Sequence, residues 1–172
     1  RGGRQLSSLF DEEAGPGSVE PGIALDQLNS FLNPHGYMFT VDVSTSSRAT
    51  IGGMAGNNSC GARSIRYGTM RDNVRAIDAL MPDGSAFRFG ELPGDLASND
   101  LSPGYRDLAE TLLKLGEREA EEIFARFPRL MRRVGGYNID ALVPGASNRP
   151  GGGNPNLAHL LVGSEGTLAF ST

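Results

Sequence analysis

Apolar residues recur with helical spacing near the start of the chain. Leu25, Leu28 and Leu32 would lie on one face of a helix that covers residues 24–33. The Pro-His-Gly segment that follows is a typical helix end, because proline and glycine both interrupt helical hydrogen bonding. The pattern therefore predicts one short amphipathic helix in this region.

A second helical pattern covers residues 105–127, where leucine, isoleucine and phenylalanine return every three or four positions. Gly116 lies inside this pattern and is expected to break or bend the helix. The charged block at residues 117–122 is better explained as a solvated face than as a binding site.

Strand patterns separate these helices. Residues 37–43 form an apolar, β-branched and aromatic run, and residues 74–81 place alternate apolar side chains on one face. The turn-forming Pro-Asp-Gly-Ser segment then leads into residues 86–89, so a hairpin is predicted. Helices and hairpin-linked strands together indicate an α+β fold. The remaining expected strands are a short one around Val19 and another that begins at Leu168.

Three stretches lack such periodicity. Residues 44–73 are rich in glycine, serine, threonine, asparagine and arginine, and they are too many for an ordinary connection. Long ordered loops are usually functional, so this stretch is a candidate site. Residues 144–156 read as a Pro/Gly/Asn-rich linker, and an acidic turn is expected from Asp11 to Gly17.

Charge and composition exclude several functions. The net charge of -4 argues against binding to nucleic acid or to anionic membranes. No apolar run approaches the roughly 20 residues that span a bilayer. A lone cysteine, Cys60, forms no intrachain disulfide and suits the reducing cytoplasm. No metal site is expected, because His35 and His159 are far apart in the sequence.

Glycine is unusually frequent, with 24 among 172 residues, about twice the usual fraction. Residues 50–61 concentrate four of them together with hydroxyl and amide side chains. Glycines expose backbone N–H groups, which suits a flat or anionic ligand that approaches closely. A surface loop without a ligand is the alternative. The spacing fits neither a P-loop nor a Rossmann glycine motif, so a different nucleotide-binding fold would be needed.

Four motifs carry a family resemblance, in this order along the chain. The first combines Ala-Thr-Ile-Gly-Gly-Met at 49–54 with Asn-Asn-Ser-Cys-Gly at 57–61, and the second is Arg-Tyr-Gly-Thr-Met-Arg-Asp-Asn-Val at 66–74. The third is Gly-Tyr-Asn-Ile at 136–139, and the fourth is Val-Gly-Ser-Glu-Gly-Thr-Leu at 162–168. The chain thereby resembles the FAD-binding domain of vanillyl-alcohol-oxidase/p-cresol-methylhydroxylase flavoproteins. It is most similar to the FAD-linked D-2-hydroxy-acid dehydrogenases, which include D-lactate dehydrogenase, the FAD subunit of glycolate oxidase and D-2-hydroxyglutarate dehydrogenase.

The resemblance implies that two α+β subdomains hold an extended FAD and that residues 1–172 are mainly the second subdomain. Backbone N–H groups of the glycine-rich segment would lie along the flavin. No catalytic residue is assigned. The implied cofactor-binding residues are Thr50, Ile51, Gly52, Gly53, Gly56, Asn57, Asn58, Ser59, Gly61, Tyr67, Gly68, Glu165, Gly166 and Thr167.

The chain departs from the family pattern at its first glycine-rich loop, because only Arg1-Gly2-Gly3 matches the Arg-Gly-Gly-Gly-Thr-Ser loop that holds the pyrophosphate. We therefore expect a partial FAD-binding domain without that loop and without the cap domain that binds substrate. The resemblance implies oxidation of a small 2-hydroxy acid by hydride transfer to flavin, with the electron acceptor left open. It places the whole enzyme in the cytoplasm or at the inner membrane surface. The alternatives are an FAD enzyme of this fold with an unrelated substrate, or a fragment unable to bind FAD by itself.

Overall fold

The computed structural model describes residues 17–97, 101–130, 132–143, 145 and 153–172. The predictions for Arg1–Gly3, for most of the acidic turn and for most of the 144–156 linker lie outside these residues. The first predicted helix is confirmed as α1, Leu25–Leu32, which buries Leu25 and Leu28. It continues into a 3₁₀ turn, Asn33–His35, and Gly36 ends it with a φ of 80°.

The predicted hairpin is confirmed as two antiparallel strands. Strand β1, Ile77–Leu80, pairs with β2, Ala86–Phe89, with Ile77 opposite Phe89. The predicted last strand is short, β3 at Phe170–Ser171, and it pairs antiparallel with the other side of β1. The order β2-β1-β3 makes β1 the central strand. Helices beside this small antiparallel sheet give the expected α+β fold.

The predicted strands at residues 37–43 and around Val19 are wrong, since neither segment belongs to a strand. Tyr37 and Met38 are 46% and 44% exposed, and only Val41 of this run is fully buried. The Phe39 N–H donates to the Asn29 side-chain oxygen at 2.7 Å instead of to a neighbouring strand. The run is therefore an extended segment held by a side chain.

Three short helices lie inside the stretch expected to be irregular. They are α2 at Ile51–Gly56, α3 at Ser64–Tyr67 and α4 at Met70–Asn73. Helix α2 forms despite its glycines because Ile51, Met54 and Ala55 are buried. Burial of these side chains outweighs the low helix propensity of glycine.

The long predicted helix is two helices, α5 at Pro103–Arg118 and α6 at Ala120–Arg126. The break falls at Glu119 rather than at Gly116. Gly116 is helical and buried, and a Cβ there would lie 2.6 Å from the Leu142 carbonyl oxygen. Because Gly116 has no side chain, the 3₁₀ turn Ile139–Leu142 can pack closely against α5.

Two groups of buried apolar residues support the fold. One joins the sheet to α5 and to α7, Ala158–Leu161, and includes Phe89, Tyr105 and Leu157. The other lies under α1, α2 and α4 and includes Val41, Met54 and Met70. The second group packs beneath the glycine-rich segment and fixes its position from the buried side. None of the helices in the described ranges is long and apolar enough to cross a membrane.

Candidate cofactor-binding site

The first N–H groups of helix α2 donate to carbonyl oxygens of a neighbouring segment and to the side chain of the helix's own N-cap residue. The Ile51 N–H donates to the Ile23 carbonyl oxygen at 2.8 Å, and the Gly52 N–H donates to the Pro21 carbonyl oxygen at 2.8 Å. The Gly53 N–H donates to the Thr50 hydroxyl at 3.2 Å, an N-cap bond. Carbonyl groups within residues 50–55 accept from four further N–H groups, those of Met54, Asn57, Asn58 and Ser59.

These bonds correct one expectation from the sequence. The backbone N–H groups of residues 51–54, 57–59 and 61 donate within the protein, so they do not form the row of free donors that was predicted. A ligand on this segment would instead meet side-chain oxygen and nitrogen atoms and the bare Cα surface of glycine. The cofactor-binding role of the individual residues stays a prediction.

A groove of about 810 Å³ runs along the outer side of α2 and the segment that follows it. Six of the predicted residues line it: Thr50, Gly53, Asn57, Asn58, Ser59 and Gly61. Sequence reasoning did not assign the other lining residues, which are Asp42, Val43, Ser44, Thr45, Ala49, Met54, Cys60, Ala62 and Val134. The lining holds hydroxyl, amide and apolar groups and the Asp42 carboxylate but, among the residues the structure describes, no lysine or arginine. Such a surface suits a flat neutral ring better than a phosphate group.

The glycines of the segment differ in what their missing side chains admit. At Gly53 a Cβ would meet only the Thr50 hydroxyl oxygen, at 3.0 Å, so it would otherwise project into the groove. At Gly52 a Cβ would lie 2.5 Å from the Pro21 Cβ, and at Gly61 it would overlap Asp42. Protein packing therefore explains Gly52 and Gly61, whereas Gly53 keeps the groove open.

Asn58 is a structural centre of the site. It is fully buried and has a left-handed backbone with a φ of 47°. Its side-chain oxygen accepts from the Arg71 N–H at 3.0 Å, which satisfies a free donor in the first turn of α4. Its side-chain nitrogen donates to the Arg133 carbonyl oxygen at 3.3 Å. The amide thus joins the groove to two distant segments.

The closing motif docks on the C-terminal end of α2. The Gly163 N–H donates to the Ala55 carbonyl oxygen and the Glu165 N–H to the Gly56 carbonyl oxygen, both at 2.9 Å. The Glu165 bond satisfies a carbonyl group that the helix end leaves free, and the Gly163 bond adds a second donor to the Ala55 carbonyl oxygen, which also accepts from the Asn58 N–H. Glu165 has a φ of 52°, and among the described non-glycine residues only Asn58 shares a positive φ. Backbone strain of this kind concentrates at functional sites.

The Gly-Tyr-Asn segment lies against the closing motif. Asn138 is 1% exposed, and its side-chain nitrogen donates to the carbonyl oxygens of His159 at 3.0 Å and Val162 at 2.8 Å. The exposed Tyr137 hydroxyl lies 2.9 Å from the Thr167 hydroxyl. The structure therefore brings three motifs, far apart in the sequence, to one face of the domain.

Other predicted residues lie away from the groove. Ile51 and Gly52 line a second cavity of about 570 Å³ on the opposite side of α2. Tyr67 and Gly68 precede α4, where the Tyr67 carbonyl oxygen accepts from the Asn73 side chain at 2.9 Å. The exposed residues Glu165, Gly166 and Thr167 stand beside the groove without lining it.

His159 of α7 is buried beneath this face. Burial lowers its pKa from 6.5 to about 4, and the positive charge of Arg71 acts in the same direction. The Val74 backbone and the carboxylates of Asp72 and Asp140 act in the opposite direction with less effect. The folded protein therefore holds His159 neutral, with its Nδ1 atom unpartnered.

Acidification is expected to destabilise the fold through His159. Because the folded pKa is depressed, stability is fully present above 6.5 and is lost as the pH falls from 6.5 towards 4. The free energy of unfolding should fall by about 2 kcal/mol between about pH 7 and about pH 5. Urea unfolding of wild type and His159→Gln at both pH values measures this. An equal pH dependence in the two proteins would contradict the assignment.

The structure also reveals functional candidates that the sequence did not indicate. Val134 forms part of the groove, and Asp140 lies between Arg71 and Arg133. Val134 carries no motif signal. Asp140 follows the Gly-Tyr-Asn segment closely, but only the three-dimensional contact with Arg71 distinguishes it from an ordinary surface carboxylate.

Comparison with known proteins decides the family. Residues 7–90 match a family model described as an FAD binding domain. Over 165 residues the chain is 33% identical to the D-2-hydroxyglutarate dehydrogenase of Escherichia coli. This alignment covers 95% of this chain and 16% of that protein. The chain carries an FAD-binding domain of the FAD-linked 2-hydroxy-acid dehydrogenase family. The recognition made from the four motifs is thereby confirmed.

Further relatives of this FAD-binding domain agree. The D-2-hydroxyglutarate dehydrogenase of Pseudomonas putida is 35% identical over 156 residues, 88% of this chain and 15% of that protein. A mitochondrial D-lactate dehydrogenase of Arabidopsis thaliana is 40% identical over 70 residues, 41% of this chain and 12% of that protein. The chain spans about 15% of the length of the hydroxyglutarate relatives that it matches.

The groove fits one part of FAD. Gly53 leaves a flat surface that a side chain would fill, and the Asn57 and Ser59 side chains offer hydrogen-bonding groups beside it. These features suit the ring system of a flavin. The lack of cationic side chains in the described lining does not suit the pyrophosphate, which would be held elsewhere.

Proposed function

We propose that this FAD-binding domain serves an enzyme that oxidises a 2-hydroxy acid of the D-2-hydroxyglutarate type. The observation that carries the proposal is the extent of similarity. The D-2-hydroxyglutarate dehydrogenases align with 88% to 95% of the chain, a span that must include the Gly-Tyr-Asn segment. The D-lactate dehydrogenases align with 40% to 44%.

Within that enzyme the domain would bind and orient the cofactor. Bound FAD supplies the hydride acceptor for the α-carbon of the hydroxy acid. Thr50, Asn57 and Ser59 would offer polar contacts along the groove, and Gly53 would let the ring lie against α2. The closing motif would stand at the edge of the cofactor through Glu165, Gly166 and Thr167.

Among the described residues, no histidine lines the groove to act as a base for the substrate hydroxyl group. His159, the one histidine near this face, is buried and neutral, and it does not line the groove. We therefore propose that the base, the substrate-binding groups and the route to an electron acceptor belong to other parts of the enzyme. The single cysteine fits a reducing compartment, so the proposal includes a cytoplasmic location.

Substrate oxidation by the whole protein tests the substrate class. Reduction of an artificial electron-accepting dye would be followed with D-2-hydroxyglutarate, D-lactate and glycolate. The highest kcat/KM is expected for D-2-hydroxyglutarate. Preference for a shorter hydroxy acid would overturn the substrate class, and bound FAD without activity on any of the three would point to an unrelated substrate.

Gly53→Ala tests the cofactor groove. The added methyl group would project into the groove, and we expect the Kd for FAD to rise about tenfold, or about 1.4 kcal/mol. Alanine favours a helix over glycine, so the free energy of unfolding should stay within about 1 kcal/mol of wild type. Flavin fluorescence quenching and urea unfolding measure the two quantities.

Gly104→Ala is the matched control for Gly53→Ala. Gly104 lies in the first turn of α5, where a Cβ would make an ordinary contact of 3.5 Å with Phe87. This variant should bind FAD as wild type does. If Gly53→Ala also binds FAD normally, the ring does not lie on this face of α2.

A further inference from the structure

A buried carboxylate joins two arginines from distant parts of the chain. Asp140 is 5% exposed. It accepts from Arg71 at 3.3 Å through one oxygen and from Arg133 at 2.5 Å through the other. Both arginine side chains are largely buried, with 16% and 14% exposed. A second and more exposed carboxylate, Asp72, lies 3.8 Å from Arg71. The cluster therefore combines two positive charges with one buried and one partly exposed negative charge.

The two arginines fix different sides of the groove. Arg71 lies on α4, and its backbone N–H donates to the Asn58 side-chain oxygen beneath the groove. Arg133 donates to Asp140 and, at 3.1 Å, to the Asn138 side-chain oxygen. Its carbonyl oxygen accepts from Asn58. Asp140 is thus the common partner of the groove floor and of residues 132–138, which we call the wall segment.

The wall segment depends on polar contacts for its position. Val134 and Tyr137 are 38% and 46% exposed, and the Gly135-Gly136 pair between them has little restraint of its own. Within the described residues, the segment is tied to the groove by Arg132, which donates to the Gly61 carbonyl oxygen at 3.1 Å, and by the Asn58 bond to Arg133. At its other end Tyr137 contacts Thr167 of the closing motif.

We propose that Asp140 is a positioning residue for the cofactor: through Arg71 and Arg133 it holds the wall segment over the groove. The inference rests on the proposed function, because the groove must bind FAD for the position of its wall to affect a flavin. Asp140 itself would not touch the cofactor. If it served packing alone, its loss would change unfolding but not the environment of the bound flavin.

Removal of the carboxylate should release the wall segment. Asp140→Asn leaves Arg133 without its carboxylate partner, whereas Arg71 keeps Asp72 at 3.8 Å, so Arg133 is expected to turn outward. We expect the Kd for FAD to rise about tenfold and the visible circular dichroism of the bound flavin to change. Arg133→Gln keeps the Asp140–Arg71 pair in charge balance and should fold, yet it also frees the wall segment and should weaken FAD binding.

The double variant Asp140→Asn with Arg133→Gln separates positioning from stability. It removes one charge of each sign, so thermal unfolding of the apoprotein should return towards wild type. FAD affinity and the dichroism signal should stay altered, because the wall segment still lacks its charged link to residue 140. Glu110→Gln is the control, since it removes an exposed carboxylate that pairs with Lys114 on α5.

The outcomes distinguish the proposals when the experiment uses the whole flavin-free protein and added FAD. Normal FAD affinity and dichroism in Arg133→Gln and Asp140→Asn would overturn the positioning role and leave the proposed function intact. Recovery of both stability and FAD binding in the double variant would show a purely structural role. Failure of the wild type to bind FAD would overturn the proposed function itself.

Discussion

Replacing Asn138 with leucine is expected to lower the free energy of unfolding by about 3 kcal/mol. Leucine has a similar size but no polar atom. The carbonyl groups of His159 and Val162 would lose their buried donor, and Arg133 would lose an acceptor. Because these carbonyls belong to α7 and to the first residue of the closing motif, FAD binding should weaken as well. Urea unfolding and flavin titration measure the two effects.

The control for this prediction is Asn33→Leu, at an exposed asparagine that follows α1. Its free energy of unfolding should differ from that of wild type by less than about 0.5 kcal/mol. An equally small change in Asn138→Leu would mean that water reaches the two carbonyl groups, and Asn138 would then not be the bond that holds the closing motif in place.

Gly61→Ala is expected to destabilise the domain by about 3 kcal/mol and to abolish FAD binding in the groove. A Cβ at Gly61 would overlap the Asp42 carbonyl oxygen and would lie 2.6 Å from the Asp42 Cγ. Asp42 cannot easily withdraw, because its carboxylate accepts from the Arg63 N–H at 3.0 Å. The segment from Gly61 to Arg63 must therefore move, and the groove would lose one side.

Comparison with Gly53→Ala makes the Gly61 result interpretable. Both changes add one methyl group to the same glycine-rich segment, but only the Gly61 methyl meets fixed protein atoms. We expect loss of stability at Gly61 and loss of affinity alone at Gly53. A free energy of unfolding equal to wild type in Gly61→Ala would show that Asp42 moves to accommodate the methyl group. The edge of the groove would then deform more easily than the structure indicates.

Local sequence predicted the elements whose causes are local. Helix α1 follows from the spacing of Leu25, Leu28 and Leu32, and the β1–β2 hairpin follows from its Pro-Asp-Gly-Ser turn. Residues 37–43 had a strand-like composition but no partner strand. Whether such a run pairs depends on its neighbours in space, and the Asn29 side chain took the place of a strand.

The candidate site was predictable in its motifs but not in its geometry. The order of the four motifs indicated the FAD-binding family, which the comparisons confirm. Helix α2 was missed because glycine disfavours helices, whereas the Thr50 cap and buried Met54 favour one here. The bonds of Asn58 to Arg133 and of Arg71 to Asp140 join residues that are 75 and 69 positions apart, which local pattern cannot reveal.

The docking of the closing motif on α2 also sets the order in which the site can be made during synthesis. The carbonyl group of Gly56 accepts from Glu165, which leaves the ribosome only after strands β1 and β2 and helices α5 and α6. Contacts between such distant positions form slowly, because the intervening chain must be closed first. The groove-lining residues that the structure describes all lie between Asp42 and Val134, so the closing motif is expected to dock late, against a groove whose residues have already been synthesised.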